Sequence, residues 1–98
     1  MMRKTATWMR QLDERILEHL DESGWSTPSL MANHPGFEKM EVSKGQIRER
    51  CQMLADAGLV ALQHQDLFEI TTWGQLYLRG EVDAANQRRP RSGRILNG

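Results

Sequence analysis

The stretch from Ser43 to Gln52 holds the densest set of side chains able to recognise a partner through hydrogen bonds: Ser43, Lys44, Gln46, Arg48, Glu49, Arg50 and Gln52. Arginine offers paired donors that fit guanine, and glutamine a donor beside an acceptor that fits adenine. A glutamate accepts only, from a donor such as cytosine N4. Ser43, Lys44 and Arg50 suit phosphate oxygens better than bases, and a helix beginning there would add its N-terminal amides. Four further arginines, Arg88, Arg89, Arg91 and Arg94, are either a source of non-specific phosphate contacts or an unstructured, solubilising end.

Other chemistry finds less support. His19, His34 and His64 are scattered, and no Cys-x2-Cys or His-x3-His spacing exists, so neither a metal nor another cofactor is expected. Cys51 falls among apolar residues at helical spacing, where a cysteine acts as a small hydrophobe and not as a nucleophile. There is no Gly-rich phosphate loop and no pair of carboxylates marking a pocket, so an enzyme is not expected. Trp8, Trp25, Trp73 and Phe37 are assigned to the core or to a subunit contact.

The 98 residues suit one small domain, with 39% apolar and 27% charged side chains. The longest apolar stretch, Ala57 to Leu62, includes Gly58, so no membrane partner is expected. Met1 to Arg10 is basic but precedes no apolar block, hence no secretory signal. A single cysteine fits a reducing cytoplasm. Thirteen basic and thirteen acidic groups cancel, which excludes a protein that holds nucleic acid by bulk charge. The charge is unevenly placed: residues 1–42 carry a net −2, 43–64 a net +1, 65–85 a net −3 and 86–98 a net +4.

The elements that must position these side chains follow from periodicity. Trp8 to Glu22 reads as a helix with Met9, Leu12, Ile16 and Leu20 on one face, and Asp13, Glu14, Glu18, Asp21 and Glu22 on a solvated one. Ser23-Gly24 ends it. Thr27-Pro28 starts a short helix that Pro35 limits to about two turns. Pro35-Gly36 reads as a turn, and Met40 and Val42 alternate with Lys39 and Glu41 as in a very short strand. Ser43 and Gln46 form a capping box, with Val42 and Ile47 as its hydrophobic staple. The helix Lys44 to Ala57 follows, with Ile47, Cys51 and Leu54 inward and Gly58 at its close. Leu59 to Gln63 and Leu67 to Ile70 form a hairpin around a three-residue loop, His64-Gln65-Asp66. Thr71-Thr72 caps a last helix through Trp73, Leu76 and Tyr77, which either breaks at Gly80 or runs on to Ala85. From Asn86 the chain reads as a flexible tail.

This order, helix, short helix, long helix, hairpin, helix, resembles a winged helix-turn-helix domain, a mainly α fold with a small β-hairpin (α+β). The resemblance is closest to the small archaeal phage-repressor-like winged-helix transcription regulators. It is carried by Arg48 to Val60, with its Leu-x3-Gly-Leu-Val ending, and by Phe68 to Gly80, with Ile-Thr-x2-Gly-x2-Tyr-Leu-x-Gly. With the first helix it covers residues 8–85, leaving the Arg-rich tail at 86–98.

The resemblance implies a sequence-specific regulator of transcription, expected to be a repressor, whose 44–57 helix enters the major groove of double-stranded DNA. Projected at 100° per residue, that helix offers Gln46, Arg48, Glu49 and Gln52 for bases. Ser43, Lys44 and Arg50, with the four tail arginines, are the phosphate candidates. The wing tip, Gln63, His64 and Gln65 beside Asp66, holds no Lys or Arg, and a hairpin that only caps the core is an equal expectation. A homodimer on a palindromic site would double the contacts of so small a domain, with Trp8, Tyr77 and Val82 as its expected interface. The alternative is a winged helix used as a protein-interaction module without DNA binding. The acidic first helix and Glu49 favour that alternative.

Overall fold

The computed structural model describes residues 3–86. Its elements run α1 (Gln11–Ser23), β1 (Trp25–Ser26), α2 (Pro28–Ala32), α3 (Pro35–Glu38), α4 (Lys44–Asp56), β2 (Val60–His64), β3 (Leu67–Ile70) and α5 (Thr72–Leu78), followed by a 3-10 turn at Ala84–Asn86. None of the described helices is long and apolar enough to cross a membrane.

The core forms where the apolar faces of the helices meet the inner face of the sheet. Ile16, Leu17 and Leu20 of α1, Met31 of α2, Phe37 of α3, Ile47, Cys51 and Leu54 of α4, Phe68 of β3 and Tyr77 of α5 are all buried. Each large aliphatic side chain taken fully from water contributes about 1.5–3 kcal/mol. The fold is mainly helical with a small antiparallel sheet, and that sheet has three strands in the order β1-β3-β2. The third strand, β1, is two residues long and pairs Trp25 with Glu69 and Ser26 with Phe68. Two residues are too few for any periodicity to reveal.

Three local expectations are corrected. First, α1 starts at Gln11, not at Trp8, because the Asp13 carboxylate turns back and accepts the amide of the N-cap residue Arg10 at 2.8 Å. Second, Pro35-Gly36 opens the single-turn helix α3, whose entrance is capped by the His34 ring accepting the Gly36 amide at 2.9 Å. Third, Lys39 to Val42 is no strand. Glu41 lies in the left-handed region at φ 52°, which breaks the extended run, and Met40 and Val42 both pack on the core.

The hairpin, by contrast, forms as expected with β3 at Leu67–Ile70, but β2 runs Val60–His64, one residue later than expected, and the loop is two residues, Gln65-Asp66, instead of three. His64 still pairs with Leu67, and the irregularity between Leu62 and His64 absorbs the odd residue. Helix α5 ends before Gly80.

The hairpin is fastened to the end of α4 at one tight junction. Gly58 has φ 84°, and its carbonyl accepts the Thr71 hydroxyl at 2.7 Å. The Thr71 amide donates to Leu59 O at 3.1 Å, and Thr71 Oγ1 in turn caps α5 by accepting the Gly74 amide at 3.1 Å. A Cβ at Gly74 would lie 2.2 Å from Leu59 O, so only glycine fits there.

The solvated face expected for α1 is also corrected at Asp13, which has no exposure. Its carboxylate receives Arg50 of α4 in a bidentate pair, Nε to Oδ1 at 2.9 Å and Nη2 to Oδ2 at 2.7 Å. Arg50 Nη2 also donates to the Trp8 carbonyl at 3.1 Å. On the helical projection Asp13 falls between Leu20 and Leu17, inside the apolar arc and not opposite it.

A second polar seam joins the segment before α1 to α5. Arg3 reaches Glu14 at 2.9 Å, Glu18 at 2.8 Å and the Leu78 carbonyl at 3.2 Å. The Tyr77 hydroxyl bonds Thr5 Oγ1 at 2.9 Å and donates to Glu14. Burial and the bond to Glu14 hold this phenol well above its ordinary pKa. Tyr77 is therefore a core residue and not a subunit contact. Trp8 and Val82 are half-buried against the same core.

Two predictions follow from buried polar groups. Arg50→Met should lower stability by about 3–5 kcal/mol, because Asp13 is left charged and uncompensated. Adding Asp13→Leu should restore much of that loss, a coupling that urea denaturation of the four proteins measures.

The second concerns His19, which is buried, bonds Ser26 Oγ at 3.2 Å and packs edge-on against His34 and Phe37. Burial, with the charges of His34 and Arg15 beside it, holds its pKa below the ordinary value, and Glu22 opposes this only in part. Below about pH 6.5 the unfolded chain takes up a proton that the folded chain refuses, so stability present above that pH is lost as pH falls. Denaturation midpoints should drop between about pH 7 and about pH 5.5 in the wild type, and less in His19→Gln.

Candidate nucleic-acid interface

Helix α4 has one face set by its buried residues and another left to solvent. The capping box at its start is present in both directions: Ser43 Oγ accepts the Gln46 amide at 3.1 Å, and Gln46 Oε1 accepts the Ser43 amide at 2.8 Å. Ile47, Cys51 and Leu54 are fully buried, so Lys44, Gln46, Glu49 and Gln52 are exposed along the other side. Ser43 is exposed at the entrance. Gln46, Glu49 and Gln52 spread over about 120° of the exposed side, and Arg48, on the flank beyond Gln52, is the residue that meets the hairpin tip.

Gln46 is on that surface but partly committed. Its side-chain oxygen serves the cap, which leaves the amide N–H groups as donors. Glu49 and Gln52 lie on the second and third turns, Glu49 next in sequence to the buried Arg50.

Arg48 is half-exposed and leans across to the hairpin, where Nη2 meets Asp66 Oδ2 at 2.5 Å. The side chains keep 40% and 46% of their accessibility, so the pair adds only about 0–1 kcal/mol to stability. Sequence reading missed the contact because eighteen residues separate its partners, and only the pairing of β2 with β3 turns the tip back toward α4.

Arg50 does not belong to this surface. It was expected among the phosphate contacts, yet it is 5% exposed and its guanidinium serves Asp13 and Trp8. The signal was available in the projection, where Arg50 lies 40° from Leu54 and 60° from Ile47.

At the wing tip, Gln63, His64 and Gln65 are all exposed. Gln63 Nε2 donates to Glu69 at 3.1 Å, and Gln65 takes the left-handed conformation at φ 52°. Arg88, Arg89, Arg91 and Arg94 lie outside the described residues. Residues 3–86 contain nine Lys or Arg and thirteen Asp or Glu, so the folded part is acidic. Lys44 supplies the exposed positive charge at the start of α4.

Burial pushes the Cys51 thiol up to about 12, which makes it a poor nucleophile. Among the described residues, no group of three His, Cys, Asp or Glu side chains is placed to hold a metal ion. A polar cleft of about 310 Å³ between α1 and α5 is lined by Arg3, Glu18, Asp21, Glu22, Gln75, Leu78 and Arg79. Arg3 and Gln75 are already bonded to Glu18 and Asp21 there.

Comparison with known proteins places this geometry in context. The sequence matches the family described as winged helix-turn-helix phage repressor over residues 2–89. The crystal structure of the PhiH1 repressor-like protein from Haloarcula marismortui superposes with a TM-score of 0.82 at 32% identity. The match covers 91% of this chain and 98% of that one. No curated protein matches the sequence.

The division between cap and exposed face can be measured. Ser43→Ala should lower stability by about 0.5–2 kcal/mol, because the cap of α4 is lost. Glu49→Ala and Gln52→Ala should stay within about 0.5 kcal/mol of the wild type. Thermal melts of the three variants compare them directly.

Proposed function

Because the chain belongs to the winged helix-turn-helix phage repressor family, we propose that it is a sequence-specific DNA-binding repressor of transcription that inserts α4 into the major groove. The observation that carries this reading is the exposed face of the N-terminal half of α4, which begins at the Ser43 cap and carries polar side chains only. Such helices meet base edges with their early residues.

In this reading Gln52 pairs with adenine through both atoms of its amide. Gln46, whose oxygen holds the cap, donates to an acceptor such as guanine N7. Arg48 reads guanine, and Glu49 accepts from cytosine N4. Ser43 and Lys44 meet the phosphates flanking the groove, aided by the N-terminal amides of α4. Arg88, Arg89, Arg91 and Arg94 would add phosphate contacts that carry no sequence information.

A two-fold dimer on a palindromic site would double the base contacts. Tyr77, being buried, takes no part in its interface. The regulator would act where DNA is, in the cytoplasm of a cell without a nucleus.

One observation favours the protein-interaction alternative: the folded part carries more acid than base, and Glu49 sits in the middle of the exposed face. Titrating the full chain against fragments of its own upstream region at two salt concentrations separates the two. Saturable, sequence-dependent binding is expected, weakening with salt by a logarithmic slope of about 0.9 per phosphate neutralised. Gln52→Ala should remove about 1–3 kcal/mol of discrimination at one base pair. Absence of binding at low salt, by protein shown to be folded, would overturn the DNA reading.

A further inference from the structure

We propose that Asp66, at the tip of the hairpin, is a positioning residue that holds the Arg48 guanidinium in the orientation from which it reads guanine. This deepens the DNA reading above and rests on it.

The contact joins the two elements expected at the nucleic acid. Arg48 stands on the second turn of α4, on the flank of its exposed face, and its Nη2 donates to Asp66 Oδ2 at 2.5 Å. A guanidinium has five N–H donors in a rigid fork. The contact with Asp66 engages Nη2, which leaves enough donors for the O6 and N7 pair of guanine.

The pair is too exposed to add much to folding. Its effect is conformational. An unrestrained arginine loses most of its rotamer freedom when it meets a base, whereas one already held on a carboxylate has lost part of that freedom beforehand.

The backbone that carries Asp66 is itself held in place. Asp66 follows Gln65, whose φ of 52° is uncommon for a residue other than glycine and requires support from its surroundings. Support comes from both strands. His64 pairs with Leu67 across the turn, and the Gln63 amide on the irregular step donates to Glu69 at 3.1 Å.

Charge points the same way. A bare aspartate at a wing tip would repel phosphate. Paired with Arg48 it makes a locally neutral couple, and it keeps the arginine from drifting to the nearest phosphate. Asp66 therefore exchanges non-specific attraction for direction.

The test is selection of bound sequences from randomised duplexes by the wild type, Asp66→Asn, Arg48→Gln and the double variant, followed by titration of each against the selected site and its single-base-pair substitutions. The wild type should prefer guanine at one position. Arg48→Gln should lose that preference by roughly five- to a hundredfold, Asp66→Asn should weaken it at the same base pair by up to about fivefold, and the double variant should lose no more than Arg48→Gln. Asp66→Asn should also bind unrelated DNA more tightly, with a salt slope steeper by about 0.9, as the released arginine finds a phosphate. If Asp66→Asn keeps the wild-type preference, or tightens all sequences by one common factor, Asp66 merely repels DNA and the proposal is overturned. A folded wild type that enriches no sequence overturns the DNA reading itself, and that outcome is visible before any variant is compared.

Discussion

The buried pair between Asp13 and Arg50 decides how α4 sits on the rest of the molecule. Two charged groups removed from water are tolerated only where geometry and extra hydrogen bonds compensate for desolvation. Here three donors converge on one carboxylate: the Arg10 amide and two nitrogens of Arg50. The same guanidinium takes the Trp8 carbonyl. One interaction thus starts α1, pins the segment before it and fixes the rotation of α4. Apolar packing of Ile47, Cys51 and Leu54 would allow α4 to roll by part of a turn, since greasy contacts have no direction. A bidentate ion pair does not allow it. The outward direction of Gln46, Glu49 and Gln52 follows from that constraint.

The hairpin is positioned by a different device, made of backbone. Gly58 ends α4 in a conformation other residues avoid, and Thr71 locks onto the carbonyl it leaves. Gly74 lets α5 approach Leu59 O to within a distance that any side chain would block. The Leu-x3-Gly-Leu-Val and Ile-Thr-x2-Gly patterns are thus the two halves of one junction. That junction aims β2 and β3 so that Asp66 comes back over Arg48. Helix α4 and the hairpin tip form one unit in this protein, joined at the base by hydrogen bonds and at the tip by a charge pair.

Charge placement reconciles a neutral chain with a role on DNA. Part of the acid in the folded part is engaged: Asp13 with Arg50, Glu14 and Glu18 with Arg3, and Asp66 with Arg48. Indiscriminate coating of DNA is disfavoured by the acidic balance of residues 3–86. A binder of this kind depends on a few oriented contacts, which is where α4 concentrates its exposed polar groups.

What could be read directly was local. The capping box at Ser43, the two hairpin strands and the helix ending at Gly58 are short-range grammar, because each depends on residues within a turn or two of one another. The exposed residues of α4 could be named for the same reason. Two residues were misplaced although the helical wheel held the information. Charge suggested that Asp13 and Arg50 face solvent, while their angles put them in the apolar arcs. The pairing of Arg48 with Asp66, the two-residue strand β1 and the seam from Thr5 to Tyr77 left no local trace. Each joins parts of the chain that only folding brings within hydrogen-bond reach. The amino-acid order therefore established which helix presents a polar face and where it begins. Tertiary packing alone decided which partner each of its charges meets, because that partner is chosen by distance in space and not by separation along the chain.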